Sequence, residues 1–122
     1  MSRWKNRPFT ARLRCALHGF AHAVSAEQNV KLQLLAFAAA LLVLLVLRPA
    51  PLWWALVLLS SASVLACELL NTAIERLADA LHPSDSEAIG TVKDCAAAAV
   101  LIACLGALGV AAALVTQLLR GP

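Results

Sequence analysis

Two stretches decide what this chain can fold into: Leu34 to Leu47 is apolar without a break, and no charged residue falls between Cys95 and Leu119. A third apolar run starts at Leu52, passes through Leu70 and keeps helical spacing to about Leu81. A helix needs about 20 residues to cross a bilayer core, so the chain accommodates three crossings and no more. Hydrophobic residues make up 61% of the 122 and charged residues 14%, against roughly 45–50% and 25% in a soluble domain. A water-soluble fold of this length could not bury so much apolar surface. The expected fold is an all-α membrane protein with transmembrane helices over residues 30–48, 52–81 and 93–119, and residues 1–122 form one membrane-embedded domain.

Residues 1–28 read differently. Phe9, Leu13, Ala16, Leu17, Phe20 and Val24 recur at helical spacing, while Arg12, Arg14, His18 and His22 fall elsewhere on the wheel. This predicts an amphipathic helix in the headgroup plane. Charge runs throughout it with no apolar stretch before a small-residue cleavage site, so it is not expected to be a signal peptide. Residues 1–31 hold Arg3, Lys5, Arg7, Arg12, Arg14 and Lys31 against one acid, Glu27. Without interleaved aromatics to stack on bases, that arm suits anionic lipid and not nucleic acid. Arg48-Pro49-Ala50-Pro51 predicts a tight turn between the first two spans. With the N-terminus in the cytoplasm, that side receives the six arm residues plus Arg76 and Lys93, leaving Arg48 and Arg120 outside. The positive-inside rule therefore orients the chain N-in and C-out, with Trp53 and Trp54 at the outer interface. Cys15, Cys67, Cys95 and Cys104 form no CxxC pair and are expected to be unpaired and reduced.

Carboxylates are rare within membrane-spanning helices because burying one in hydrocarbon costs several kcal/mol. The second span nevertheless carries Glu68, Asn71, Glu75 and Asp79. At about 100° per residue these share one stripe roughly 80° wide. Such a stripe must face a partner helix or a wet cavity. Counting about 1.5 Å per residue from Trp53 puts Glu68 roughly 22 Å inward and Glu75 roughly 33 Å, against a core about 30 Å thick. Glu68 then sits at the depth of lipid hydroxyls and Glu75 at the depth of dissolved nucleotide, an arrangement suited to moving a group from water to lipid. Polar residues that only glue helices together would give a similar stripe.

Lys93-Asp94 opens the third span after the polar loop His82-Pro83-Ser84-Asp85-Ser86-Glu87. This can be an ordinary surface pair or a phosphate contact, since Lys serves as a compact point charge. Glu27 lies on the same side as Glu75. Two carboxylates plus nucleotide phosphates make the usual ligand set for Mg²⁺, although a solvated headgroup glutamate has the same spacing. His18 and His22 stand at i, i+4, a metal-ligand spacing that interfacial histidines share. No GxxxxGK[ST] loop and no protein-kinase signature occurs, so any nucleotide site is of another kind.

The pattern Glu68-x-x-Asn71-Thr72-Ala73-Ile74-Glu75-x-x-x-Asp79, followed by Lys93-Asp94-x-Ala96-Ala97-x-Ala99-Val100, resembles the signature of the small prokaryotic diacylglycerol kinases and their undecaprenol kinase relatives. Ala16-x-x-Gly19 and Glu27-x-Asn29 are similar to that family's N-terminal pattern, and the resemblance runs from about residue 9 to 110. It implies a homotrimer with sites between subunits, ATP and a membrane lipid alcohol as substrates, Mg²⁺ as cofactor, and a bacterial inner-membrane location with a cytoplasmic site. Carried over, Glu68 matches the base that deprotonates the lipid hydroxyl, and Glu27 and Glu75 match Mg²⁺ ligands that also meet ATP. Lys93, Asp94 and the segment Ser84, Asp85 and Ser86 match nucleotide contacts. Asn71, Asp79 and Ala97 match positions that border or support the reacting groups. Cys15 falls at a nucleotide-contacting position where an aromatic is common, and Gln33 stands where relatives carry Glu or His. Arg7, Arg12 or Arg14 could each supply the family's N-terminal arginine. The resemblance implies phosphorylation of diacylglycerol to phosphatidic acid, with undecaprenol kinase as the alternative. A non-enzymatic transport or assembly subunit, whose carboxylates line an ion path, is a distant rival that has no use for Lys93-Asp94.

Overall fold

The computed structural model describes residues 6–121, so Arg3 and Lys5 of the basic arm lie outside the described residues. Four helices follow one another: α1 (Phe9–Ala26), α2 (Gln28–Leu47), α3 (Pro51–Leu81) and α4 (Glu87–Arg120). No strand occurs among the described residues. The last three are each long and apolar enough to cross a membrane, and the chain is an all-α membrane protein with a further helix at its N-terminal end.

Local chemistry explains each boundary. A single extended residue, Glu27 (φ −113°, ψ 119°), separates α1 from α2. Its N–H still donates to the Ala23 carbonyl at 2.9 Å and its carbonyl accepts from Lys31 N–H at 3.3 Å. The junction thus keeps both backbone groups of Glu27 hydrogen-bonded. Arg48 ends α2 in the left-handed conformation (φ 48°, ψ 54°). Pro49 disfavours the right-handed helical region at the residue before it, which is why the helix stops there. Pro51 then takes the first position of α3, where its missing N–H costs nothing.

The third span differs from its predicted start at residue 93, since α4 begins at Glu87. Ser86 caps it, its Oγ accepting from Ile89 N–H at 3.2 Å, and Glu87 places a negative charge in the first turn. Glu87 therefore belongs to the helix and not to the loop. Hydropathy marks where lipid contact begins, whereas capping marks where the helix begins.

At about 1.5 Å per residue α2 is roughly 30 Å long, but α3 and α4 run to roughly 46 and 51 Å. Since α2 and α3 share a short turn at residues 48–50, α3 outruns α2 at the opposite end, and α4 returns alongside it. The most extensive packing is between α3 and α4, while α2 packs on α3 and α1 touches both α2 and α3. Leu44, Val57 and Leu114 form a small core at the Arg48 end, with Trp53 and Trp54 packed against it. Between α2 and α4, along α3, runs an apolar groove of about 510 Å³, one side of which Gln33 bridges to Cys104 Sγ at 3.9 Å. Most large apolar side chains point outward, Leu35 at 68% and Ile102 at 69% exposure among them, as helices solvated by lipid require.

Ser86→Ala should fray the first turn of α4 at a cost of about 1 kcal/mol. Amide hydrogen exchange should quicken at Ile89 and Gly90 and stay unchanged beyond Val100.

Candidate functional site

The inward face of α3 carries Val57, Val64, Glu68, Asn71, Thr72 and Ala78. Intervals of seven, four, three and seven residues link Val57, Val64, Glu68, Asn71 and Ala78, with Thr72 beside Asn71, so the polar positions continue the same stripe that packs as Val57 and Val64 nearer the turn. Glu68 is only 4% exposed and Asn71 8%. Among the described residues the ion pairs are Arg76–Glu27 and Lys93–Asp79, and neither includes Glu68. The Asn71 side chain donates through Nδ2 to Glu75 Oε1 at 3.3 Å, while its buried Oδ1 has no partner. The α3 stripe thus holds a buried carboxylate that neither ion pair includes and a buried acceptor without a donor, groups whose hydrogen-bonding capacity is unmet within the subunit.

Where α3 outruns α2, the stripe leaves the packed interior. Glu75 and Asp79 are exposed, and Lys93 of α4 donates to Asp79 Oδ1 across the helix pair. That pair is partly exposed, at 35% for Lys93 and 66% for Asp79, so it contributes little to stability and its ammonium remains within reach of an anion. Asp94 and Ala97 are exposed on α4, with Ala96 taking the buried position between them. Ser84 and Asp85 lie exposed in the short loop before α4, and Ser86 is committed to its cap. Cys15 is exposed on α1 and accepts from Arg7 at 3.5 Å. Its partner is that arginine, eight residues before it, and not a residue of the α3 stripe. All four cysteines are free.

One grouping was not legible in the spacing. Arg76 donates to Glu27 Oε1 at 2.8 Å, and its other terminal nitrogen lies 2.7 Å from His22 Nε2. The guanidinium thereby joins α1, the α1–α2 junction and α3. In the sequence Arg76 counted only as a cytoplasmic charge, and its immediate succession to Glu75 was the one available sign. His22, the second member of the i, i+4 histidine pair, faces this guanidinium.

Glu27 and Glu75 can be tested as a divalent-cation site against this geometry. Glu27 already holds a cation, and that cation projects from the residue following Glu75. Glu75 is exposed and receives only one neutral hydrogen bond. Among the described residues no group of three or more His, Cys, Asp or Glu is arranged to hold a metal. Glu27 and Glu75 would offer Mg²⁺ two carboxylates only, so phosphates and water would have to supply its remaining ligands.

No curated protein matches the chain. The family model described as Prokaryotic diacylglycerol kinase matches residues 14–115, a span that includes every side chain of the α3 stripe, its α4 partner Lys93, and the Glu27 junction. With that match covering most of its length, the chain belongs to the prokaryotic diacylglycerol kinase family.

Proposed function

We propose that this protein transfers the γ-phosphoryl of ATP to a membrane lipid alcohol, diacylglycerol being the substrate and phosphatidic acid the product. Membership of the family supports a lipid kinase. The observation that carries the reading is Glu68, a carboxylate buried at 4% exposure with no counter-ion, on the same helix stripe as the exposed Glu75.

The chain's residues divide the work by depth. Glu68 accepts the proton of the lipid hydroxyl as its oxygen attacks the γ-phosphorus, and ADP leaves on the opposite side. Asn71, whose buried Oδ1 is an unpartnered acceptor, borders the reacting groups one turn from Glu68 and can accept a hydrogen bond from Glu68 once that carboxyl has taken the proton. Lys93 turns from Asp79 to the phosphates as a point charge, beside Asp94 and the loop Ser84 to Ser86. Mg²⁺, held by Glu27 and Glu75, would supply charge neutralisation on the phosphates. The lipid's chains stay in the bilayer throughout, so only its hydroxyl approaches the stripe. The exposed faces of the subunit suit a homotrimer with sites completed by neighbours, in a bacterial inner membrane with the Glu75 end cytoplasmic. Undecaprenol is the second reading, favoured by Glu27-x-Asn29.

Labelled ATP offered with diacylglycerol and with undecaprenol in turn should label the glyceride faster; preferential labelling of the polyprenol would replace the substrate assignment. Glu68→Gln keeps shape and hydrogen bonding but removes the proton acceptor, so kcat should fall by roughly 10²–10⁴ with ATP binding little changed. Near-normal turnover would remove Glu68 from the chemical step, and loss of the oligomer along with activity would make it a packing residue. A periplasm-active reporter fused after Pro122 should give signal, whereas one inserted between Ser84 and Glu87 should not.

A further inference from the structure

Three candidates stand outside the proposed chemistry: the apolar groove beside α3, the Gln33–Cys104 contact, and the Arg76 junction. The groove is lined mainly by apolar side chains, and the 3.9 Å amide–sulfur contact is weak. The Arg76 junction carries more. Its guanidinium occupies Glu27 Oε1 at 2.8 Å, and that carboxylate is one of the two given to the divalent cation.

We propose that Arg76 is an internal counter-ion which fills the cation position on Glu27 until a divalent cation displaces it, and that the same side chain tethers α1 to α3 while the cation is absent. The proposal rests on the metal role given to Glu27 above.

Three observations support the exchange. The pair is open to water, with Arg76 48% and Glu27 32% exposed, so opening it costs at most about 1 kcal/mol and a dication has access. The carboxylate oxygen that Arg76 holds is a hard anionic ligand, which Mg²⁺ binds with twice the charge of a guanidinium at shorter range. A dication and a guanidinium on one carboxylate repel each other, so the incoming ion expels the resident one. The tether follows from the second contact. The guanidinium offers only donors, so in the 2.7 Å contact His22 Nε2 takes the acceptor's part. Displacement from Glu27 withdraws the donor from His22 as well. α1 has little else to hold it, for Ala23 is its one buried residue among the described ones, while Phe9 and Leu17 stand 75% and 61% exposed.

The full chain in lipid nanodiscs, without nucleotide or lipid substrate, tests this through Mn²⁺ binding followed by electron paramagnetic resonance. Arg76→Gln should bind Mn²⁺ roughly 2- to 5-fold tighter than wild type, the competitor being gone. Arg76→Lys keeps the charge but lacks the fork that spans both partners. It should fold as wild type does and bind Mn²⁺ with an affinity between the two, so the test survives if the Gln variant does not fold. In wild type the His22 ring ¹⁵N resonance should shift on adding diamagnetic Mg²⁺, and in Arg76→Gln it should not. Unchanged Mn²⁺ affinity in both Arg76 variants, with weakened binding in Glu27→Gln, would overturn the exchange and leave the metal role standing. Unchanged affinity in Glu27→Gln would remove the metal role itself.

Discussion

The cost of a carboxylate in hydrocarbon organises this molecule. Glu68 lies within a helix that crosses the membrane, and an ionised carboxyl facing lipid is expensive. α3 must therefore turn that face toward protein, and it does so by placing Glu68, Asn71 and Thr72 on the stripe that begins with Val57 and Val64. The rotation of α3 about its own axis follows from this requirement. So does its position as the element on which every other helix packs. The outward faces are then left with leucine, valine and alanine, which lipid solvates at no cost.

Helix length supplies the second constraint. α2 matches the hydrocarbon thickness, while α3 and α4 exceed it by roughly 16–21 Å at about 1.5 Å per residue. The excess lies at one end and carries Glu75, Asp79 and Lys93. A single pair of antiparallel helices thus joins a buried carboxylate to an exposed acidic and basic cluster on one continuous scaffold. Loops would hold these groups less rigidly, and the Ser86 cap keeps even the start of α4 helical as far as the loop.

At that end, ionic contacts link different helices. Asp79 pairs with Lys93 of α4, and Arg76 pairs with Glu27 at the α1–α2 junction, although Arg76 and Asp79 lie three residues apart on α3. Because α1 lies against α3, the nearest opposite charge for Arg76 is across the helix boundary. Each pair is exposed enough that its partners can be exchanged for ligand atoms at little cost. Rigid helices with exchangeable charges at their ends are what the proposed nucleotide site would need to admit and release its ligand.

The amino-acid sequence alone determined the three crossings, the amphipathic helix before them and the Glu68–Asp79 stripe. Each follows from residue type and helical period, and hydrocarbon enforces both without reference to partners. The family was legible for the same reason, since its pattern lies mostly within single helices. The extra turn and a half of α4 was not, because hydropathy senses lipid and is blind to a serine cap. Nor was the Arg76 junction, since Glu27 and Arg76 lie 49 positions apart and no period connects them. Only the packing of α1 and α3 decided that a guanidinium, and not water alone, would meet the Glu27 carboxylate, because an ion pair between helices depends on the distance between side chains brought together by the fold.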